Sequence, residues 1–132
     1  MGEAILSRRK GKDIYLEETS IASYSIDVLT SSEDYIAPAS TLEVTTYGGG
    51  GGLSNGSNNS AILQVTEGEI IPVTIGNGSN TTGGTTSFGT YLFAEGGTNN
   101  NAELSINEAY GDRGLGGNNT SGTDGVVLIK YY

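Results

Sequence analysis

Short runs in which apolar and polar residues alternate punctuate this chain, and between them lie stretches almost devoid of large side chains. Over Thr41–Tyr47, Leu42, Val44 and Thr46 fall on one side and Thr41, Glu43, Thr45 and Tyr47 on the other, the pattern of a half-buried strand. Upstream, the same alternation puts Tyr24, Ile26 and Val28 on one face. Residues 60–66 and 69–75 predict a hairpin about a Glu67-Gly68 turn, and Pro72, lacking an N–H, predicts an edge strand or a bulge. Residues 86–94 predict a strand with Phe88 and Leu92 on one face and Tyr91 and Phe93 on the other, Gly89 marking a bulge or a close backbone approach. Residues 102–106 are a further strand candidate. The most apolar run, 126–132, closes the chain and predicts a central strand. Near the start, Ile14–Leu16 reads as a short strand, and Ala4, Ile5 and Leu6 could open a short helix that Gly11 would end.

Between these runs stand Gly48 to Gly52, the Asn77-Gly78 turn signal, Gly96-Gly97 and a glycine-rich stretch from 111 to 125. Consecutive glycines lose much backbone entropy on ordering, so such a run is either a disordered linker or is held by something outside itself. Several short strands at close spacing predict an all-β fold, a small antiparallel β-sandwich with long glycine-rich loops. The loops are expected at 48–59, 76–86, 95–101 and 111–123. Residues 1–34, with few glycines and most of the basic residues, are expected to form an N-terminal attachment arm, and 35–132 the glycine-rich β-sandwich domain.

Composition narrows the function. Of 132 residues, 22 are glycine, none is cysteine and none is histidine, and the net charge is −9. The absence of cysteine excludes disulfides and thiolate metal sites, and the absence of histidine removes the commonest general base and zinc ligand. An acidic chain repels phosphate backbones, so no nucleic-acid partner is expected. No apolar run approaches the ~20 residues of a membrane-spanning helix, and no membrane insertion is expected. The basic residues of the opening follow a small apolar patch, the reverse of a secretory signal. Four of the six basic residues, Arg8, Arg9, Lys10 and Lys12, cluster there, as a docking patch for an acidic partner or as a solvated terminus.

Candidate chemistry is sparse. Gly48 to Gly52 could suggest an anion cradle, but no Gly-Lys-Ser/Thr follows and no helix begins, and Gly76-x-Gly78 lacks the dinucleotide-binding context. Glu67 and Glu69 flank a turn, and Asp112 and Asp124 lie in the last glycine loop; these are solvated acids or oxygen ligands for a calcium ion. Two carboxylates suffice for a glycosidase, yet nothing in the sequence positions such a pair. The expectation is a protein that is not an enzyme, with no cofactor. Loops on a stiff frame carry recognition, and aromatic faces beside them offer contact area at low entropy loss. The candidate contact residues are therefore Tyr47, Gly50, Asn55, Asn58, Asn77, Asn80, Tyr91, Asn99, Tyr110 and Asn118.

Six elements of residues 35–132 occur in the order of a known pattern: Val44-Thr-Thr-Tyr-Gly-Gly-Gly-Gly-Gly52, Val65-Thr-Glu-Gly-Glu69, Val73-Thr-Ile-Gly76, Gly83-Gly-Thr-Thr-Ser-Phe-Gly89, Ala94-Glu-Gly-Gly97 and Asp124-Gly-Val-Val-Leu-Ile-Lys-Tyr131. This series resembles the glycine-rich tip domain of bacteriophage tail-fibre, or receptor-binding, proteins. Glu67 stands where that family often has proline, and Asn, Ser and Thr replace many loop glycines. The long C-terminal glycine stretches that stack as polyglycine helices in some of its adhesins are reduced here to 111–125, so loops are expected rather than a full polyglycine layer. The opening, Met1-Gly-Glu-Ala-Ile-Leu-Ser-Arg-Arg9, is also similar to starts of tail-fibre-like proteins of phages of Gram-positive hosts. The resemblance implies a virion protein, assembled in the host cytoplasm, whose partners are other capsid or tail proteins and a bacterial surface glycan or protein. It also implies a homo-oligomer, since viral fibre proteins are commonly trimers. Two roles follow: attachment to the host through the loops, or a structural capsid or tail decoration docked through residues 1–34. The short arm without a shaft favours the second, the loop chemistry the first.

Overall fold

The computed structural model describes residues 23–99, 108–110, 112–117 and 120–132. The expected short helix near residue 4, the strands at Ile14–Leu16 and 102–106, the basic residues Arg8, Arg9, Lys10 and Lys12, and Asn118 lie outside the described residues. The strands are β1 (Ser25–Leu29), β2 (Glu33–Ile36), β3 (Thr41–Tyr47), β4 (Asn58–Gln64), β5 (Ile70–Thr74), β6 (Thr86–Phe88), β7 (Leu92–Ala94) and β8 (Val126–Tyr131), with no helix among the described residues. They form two four-stranded sheets, ordered β1-β8-β3-β4 and β2-β5-β6-β7, with every pairing antiparallel. The chain is therefore the small all-β fold that the alternation predicts.

The core lies between the two inner faces. Leu29 of β1, Leu42 and Val44 of β3, and Val127 and Ile129 of β8 meet Tyr35 of β2, Ile71 and Val73 of β5, and Phe88 of β6. The Tyr35 and Phe88 rings stand 5.9 Å apart. Burying each large side chain of this set stabilises the fold by about 1.5–3 kcal/mol. β8 is central, between β1 and β3, as its apolar content predicts.

Four expectations change. First, β1 pairs along its whole length with β8, and Leu29 is in the core, so the body begins well before residue 35; the boundary expected after residue 34 falls inside β2. Second, β4 and β5 are consecutive but join different sheets, so 60–75 is not a hairpin. Alternation fixes which side of each strand faces inward, not which sheet it joins. The chain crosses between sheets at a turn where Gly68 has φ 89° and donates its N–H to the Ala37 carbonyl at 2.8 Å. Third, Pro72 sits on an interior strand. Its carbonyl accepts from the Gly89 N–H at 2.8 Å, where the chain turns away from β6, so no ladder partner is left without a donor. Fourth, residues 86–94 fold back on themselves as the β6–β7 hairpin, because Gly89 (φ 55°) turns the chain rather than bulging it.

The segments expected as loops pack together into a second structural unit. At its centre run residues 48–52, all buried. The N–H groups of Gly48 and Gly51 donate to the Ser57 and Ser54 carbonyls, both at 2.9 Å. Those of Gly49 and Gly52 donate to Gly84 and Thr81, at 3.0 and 2.9 Å, and that of Gly50 to Thr123 at 2.8 Å. Donors three residues apart thus reach the same neighbour, the threefold repeat of polyproline-II-type backbone, which makes no internal hydrogen bonds. In return the carbonyls of Gly49, Gly50 and Gly51 accept from Gly97, Ser79 and Gly117, at 2.8, 3.0 and 2.9 Å.

Six segments therefore surround the central one: 54–57, 114–117, 121–125, 76–79, 81–84 and 95–98. Each is bonded to the next around the ring. Gly56 donates to Gly114, Gly114 to Asp124, Gly125 to Gly76, Gly84 to Asn77, Gly83 to Gly97, and Ser57 to Glu95, closing the circle. The Asn77-Gly78 pair, expected as a turn, runs through this bundle instead: the Asn77 carbonyl accepts the Gly84 N–H at 2.8 Å, and the Gly78 N–H donates to Asp124 Oδ1 at 2.8 Å.

Glycine is required here for space. None of Gly48 to Gly52 has a positive φ. A Cβ on Gly50 would collide with the Leu115 carbonyl, and one on Gly51 would lie 2.5 Å from the Gly97 carbonyl carbon. The backbone bonds across the bundle offset the entropy lost in ordering so many glycines.

Candidate functional site

The bundle stands on one end of the sandwich. Residue 48 continues β3, 57 leads into β4, 76 continues β5, 95 continues β7, and 125 leads into β8. At the far end the chain reverses at 52–54 and 79–81, and the Thr120 N–H donates to the Gly117 carbonyl at 3.2 Å. Five residues of this backbone span about 15 Å at ~3.1 Å per residue, so these turns project well beyond the sheets. The chain enters at the opposite end: Ser25 pairs with Tyr131, and the Tyr24 and Tyr132 rings are 6.0 Å apart. One end thus carries residue 23 and the C-terminal Tyr132, and the other a tip of turns.

Among the described residues, the exposed ones of the tip and its rim are Asn80, Thr81, Thr82, Asn99, Thr120 and Ser121. Local bonds stiffen them. The Thr81 N–H donates to Ser79 Oγ at 3.1 Å, Thr120 Oγ1 donates to the Gly117 carbonyl, and the Thr98 N–H donates to buried Ser54 Oγ at 2.7 Å. Asn80 and Asn99 flank the end of the central segment: an atom added at Gly52 would meet the Asn80 backbone and lie 2.8 Å from Asn99 Oδ1.

The expected contact residues divide by position. Asn80 and Asn99 are at the tip, and Asn77 is exposed on the flank of the bundle. Gly50 is enclosed at the bundle's centre and presents no surface, because six backbones leave room for nothing larger. Asn55 is half-buried and its Oδ1 accepts the Gly116 N–H at 2.7 Å, tying two segments together. Asn58 opens β4 and donates to the Glu108 carbonyl at 3.2 Å, at the junction. Tyr47 and Tyr110 also lie at the junction, with rings 5.8 Å apart, and burial raises the Tyr47 phenol above its ordinary range. Tyr91 is in the β6–β7 turn, at the end away from the tip, because residues 86–94 form a hairpin; its hydroxyl donates to Glu69 Oε2 at 2.7 Å. That bond, with the Thr66 N–H, draws the Glu69 carboxyl below its usual range. Thr81, Thr120 and Ser121 were not singled out by sequence. The available signal was their place in mid-loop, where side chains replace the glycines that fill the bundle's interior.

Charge is partitioned along this axis. Asp27, Glu33, Asp34, Glu43, Glu67, Glu69 and Lys130 belong to the sandwich and its turns. Glu95, Glu108, Asp112, Arg113 and Asp124 mark the junction, where Arg113 donates to the Gly125 and Thr30 carbonyls at 2.7 and 3.1 Å and Asp124 Oδ1 accepts the Gly78 N–H at 2.8 Å. Beyond the junction the described residues carry no ionisable side chain. Among the described residues, no three acidic groups are placed together to hold a metal ion. Comparisons of the chain with protein-family models, with curated proteins and with solved structures find no match.

Proposed function

We propose that this chain is a non-enzymatic bacteriophage virion protein, a tail-fibre-like glycine-rich module that attaches to the host surface through the tip of its bundle. The observation that carries this reading is the polarity of the molecule: the chain enters at one end of the sandwich, and a stiff backbone bundle holds side-chain-bearing turns at the other. The end of the sandwich that carries residue 23 then faces other virion proteins while the tip faces outward. The ordered glycine motifs of residues 35–132 support the same reading through their resemblance to tail-fibre tip domains. Rigid turns suit attachment because little backbone entropy is lost on contact.

A second reading, a capsid or tail decoration, draws support from the outer faces of the sheets. Ile26, Val28 and Ile62 are exposed on one and Ile36, Ile70 and Phe93 on the other. A depression of about 250 Å³ lined by Ile26, Glu43, Thr45, Tyr110, Leu128 and Lys130 opens on the first. Adsorption of the labelled full-length protein to a panel of bacteria separates the two. Attachment lost in an Asn80→Ala/Asn99→Ala/Thr120→Ala variant with an unchanged urea midpoint is the expected result. Failure to adsorb to any strain, with firm retention on virions, would overturn it in favour of decoration.

A further inference from the structure

We propose that the tip engages an electrically neutral, hydroxyl-rich polymer, a polysaccharide without carboxylate or phosphate groups, through hydrogen bonds from Asn80, Thr81, Asn99 and Thr120. The inference rests on the reading of the tip as the attachment surface. The chain carries a net charge of −9, yet the described part of the bundle beyond its junction has no ionisable side chain. An anionic polymer calls for Lys or Arg, which pair with carboxylate or phosphate through charge-assisted bonds. Both described cations, Arg113 and Lys130, lie at the junction or below it, and Arg113 is engaged by backbone carbonyls. A cationic partner calls for carboxylates, and among the described residues those are also confined to the junction and the sandwich.

A protein receptor is disfavoured by composition. Protein interfaces draw most of their affinity from buried Trp, Tyr and Arg anchors. The described tip has none of these, and its one large apolar side chain, Leu53, is half-buried. What remains are amides and hydroxyls, each able to donate and accept, which is the capability that sugar hydroxyls match. The bundle also sets the tip apart electrostatically. Its length of about 15 Å is roughly twice the screening length of ~8 Å at physiological ionic strength. The acids of the sandwich itself therefore exert little field where contact is made, although Asp124, whose Oδ1 accepts the Gly78 N–H two residues before Asn80, stands closer.

The test is binding of the full-length protein to immobilised neutral polysaccharides (dextran, mannan, galactan) and anionic ones (polygalacturonate, lipoteichoic acid), from about 0.05 to about 0.5 M salt. We expect binding to a neutral polymer that changes less than about twofold over this range, because no counterions are released. An Asn80→Ala/Asn99→Ala variant with an unchanged urea midpoint should bind about tenfold more weakly, the loss of a hydrogen bond or two. Binding to none of the neutral polymers, binding confined to the anionic ones with steep salt dependence, or neutral binding indifferent to the tip variant overturns the inference. Cells that still adsorb the protein after periodate oxidation, but not after protease treatment, overturn it while leaving the attachment reading intact. Cells that never adsorb the protein overturn both.

Discussion

Replacing Gly50 with alanine tests the bundle at its most enclosed point. The added methyl would run into the Leu115 carbonyl, with the Gly116 nitrogen 3.0 Å away, so the 114–117 segment must move outward. That segment is bonded to 121–125 and to 54–57, and the Gly50 N–H and C=O are themselves engaged by Thr123 and Ser79 at 2.8 and 3.0 Å. Overpacking a filled interior costs about 1–3 kcal/mol, and each buried backbone group left unpaired about 1–3 kcal/mol more. Restricting the unfolded chain returns only about 0.4–1 kcal/mol. The expected net loss is about 3–5 kcal/mol, a large share of the ~5–15 kcal/mol typical of a domain. Gly68→Ala is the control. Gly68 has φ 89° and nothing within 4 Å of an added methyl, so only the local strain of about 1–2 kcal/mol applies. Urea unfolding, with midpoint and slope fitted separately, reads both. A Gly50→Ala midpoint no lower than that of Gly68→Ala would refute the enclosed bundle.

Other consequences follow from single contacts. Thr86 is fully buried and its Oγ1 accepts the Gly76 N–H at 2.9 Å, so Thr86→Val should destabilise by about 1–3 kcal/mol and Thr86→Ser by clearly less, read by the same urea titration. Burial first, and then the hydrogen bond to Asp27, raise the Tyr35 phenol far above its ordinary range. Its contribution is complete below pH ~10 and declines above that, as the unfolded chain ionises and the folded one does not; Tyr35→Phe should flatten the alkaline fall in urea midpoint. Arg113 joins the end of β1 to the start of β8 through Thr30 and Gly125, so Arg113→Ala should cost about 1–2 kcal/mol and speed amide exchange at the β1–β8 pairing.

How much of this was legible in the sequence depends on the side chains available to report it. Leu42, Val44 and Thr46 alternate, face inward and are buried, so the sandwich could be read directly. The sheet joined by β5 could not, because Ile71 and Val73 point into the core equally well from a hairpin or from a crossing. The bundle was the hardest part to read. Amphipathic periods of 2 and 3.6 are recorded in side chains, whereas a threefold backbone lattice is recorded in their absence. Gly48 to Gly52 therefore read as a loop, although they are the longest fully buried run among the described residues.

The same logic makes the tip partly readable in retrospect. In a lattice of touching backbones, a non-glycine residue fits only where it faces outward or where the chain leaves the lattice. Asn77 fits on the outer flank, and Asn80, Thr81 and Asn99 fit at the turns. Asn80 and Asn99 stand at such exits, which collect amides, whereas Tyr91 lies at the other end, because nearness in sequence to a glycine run does not fix which end of the molecule a turn occupies. A close-packed support for the turns thus follows from side-chain poverty, the feature that alone leaves a linker and an externally held run equally open. On the proposed attachment through the tip, loosening the centre should weaken adsorption without touching a proposed contact residue: if Gly50→Ala remains folded at low temperature, its adsorption to cells should fall along with its stability, and undiminished adsorption would separate the proposed role of the tip from the bundle beneath it.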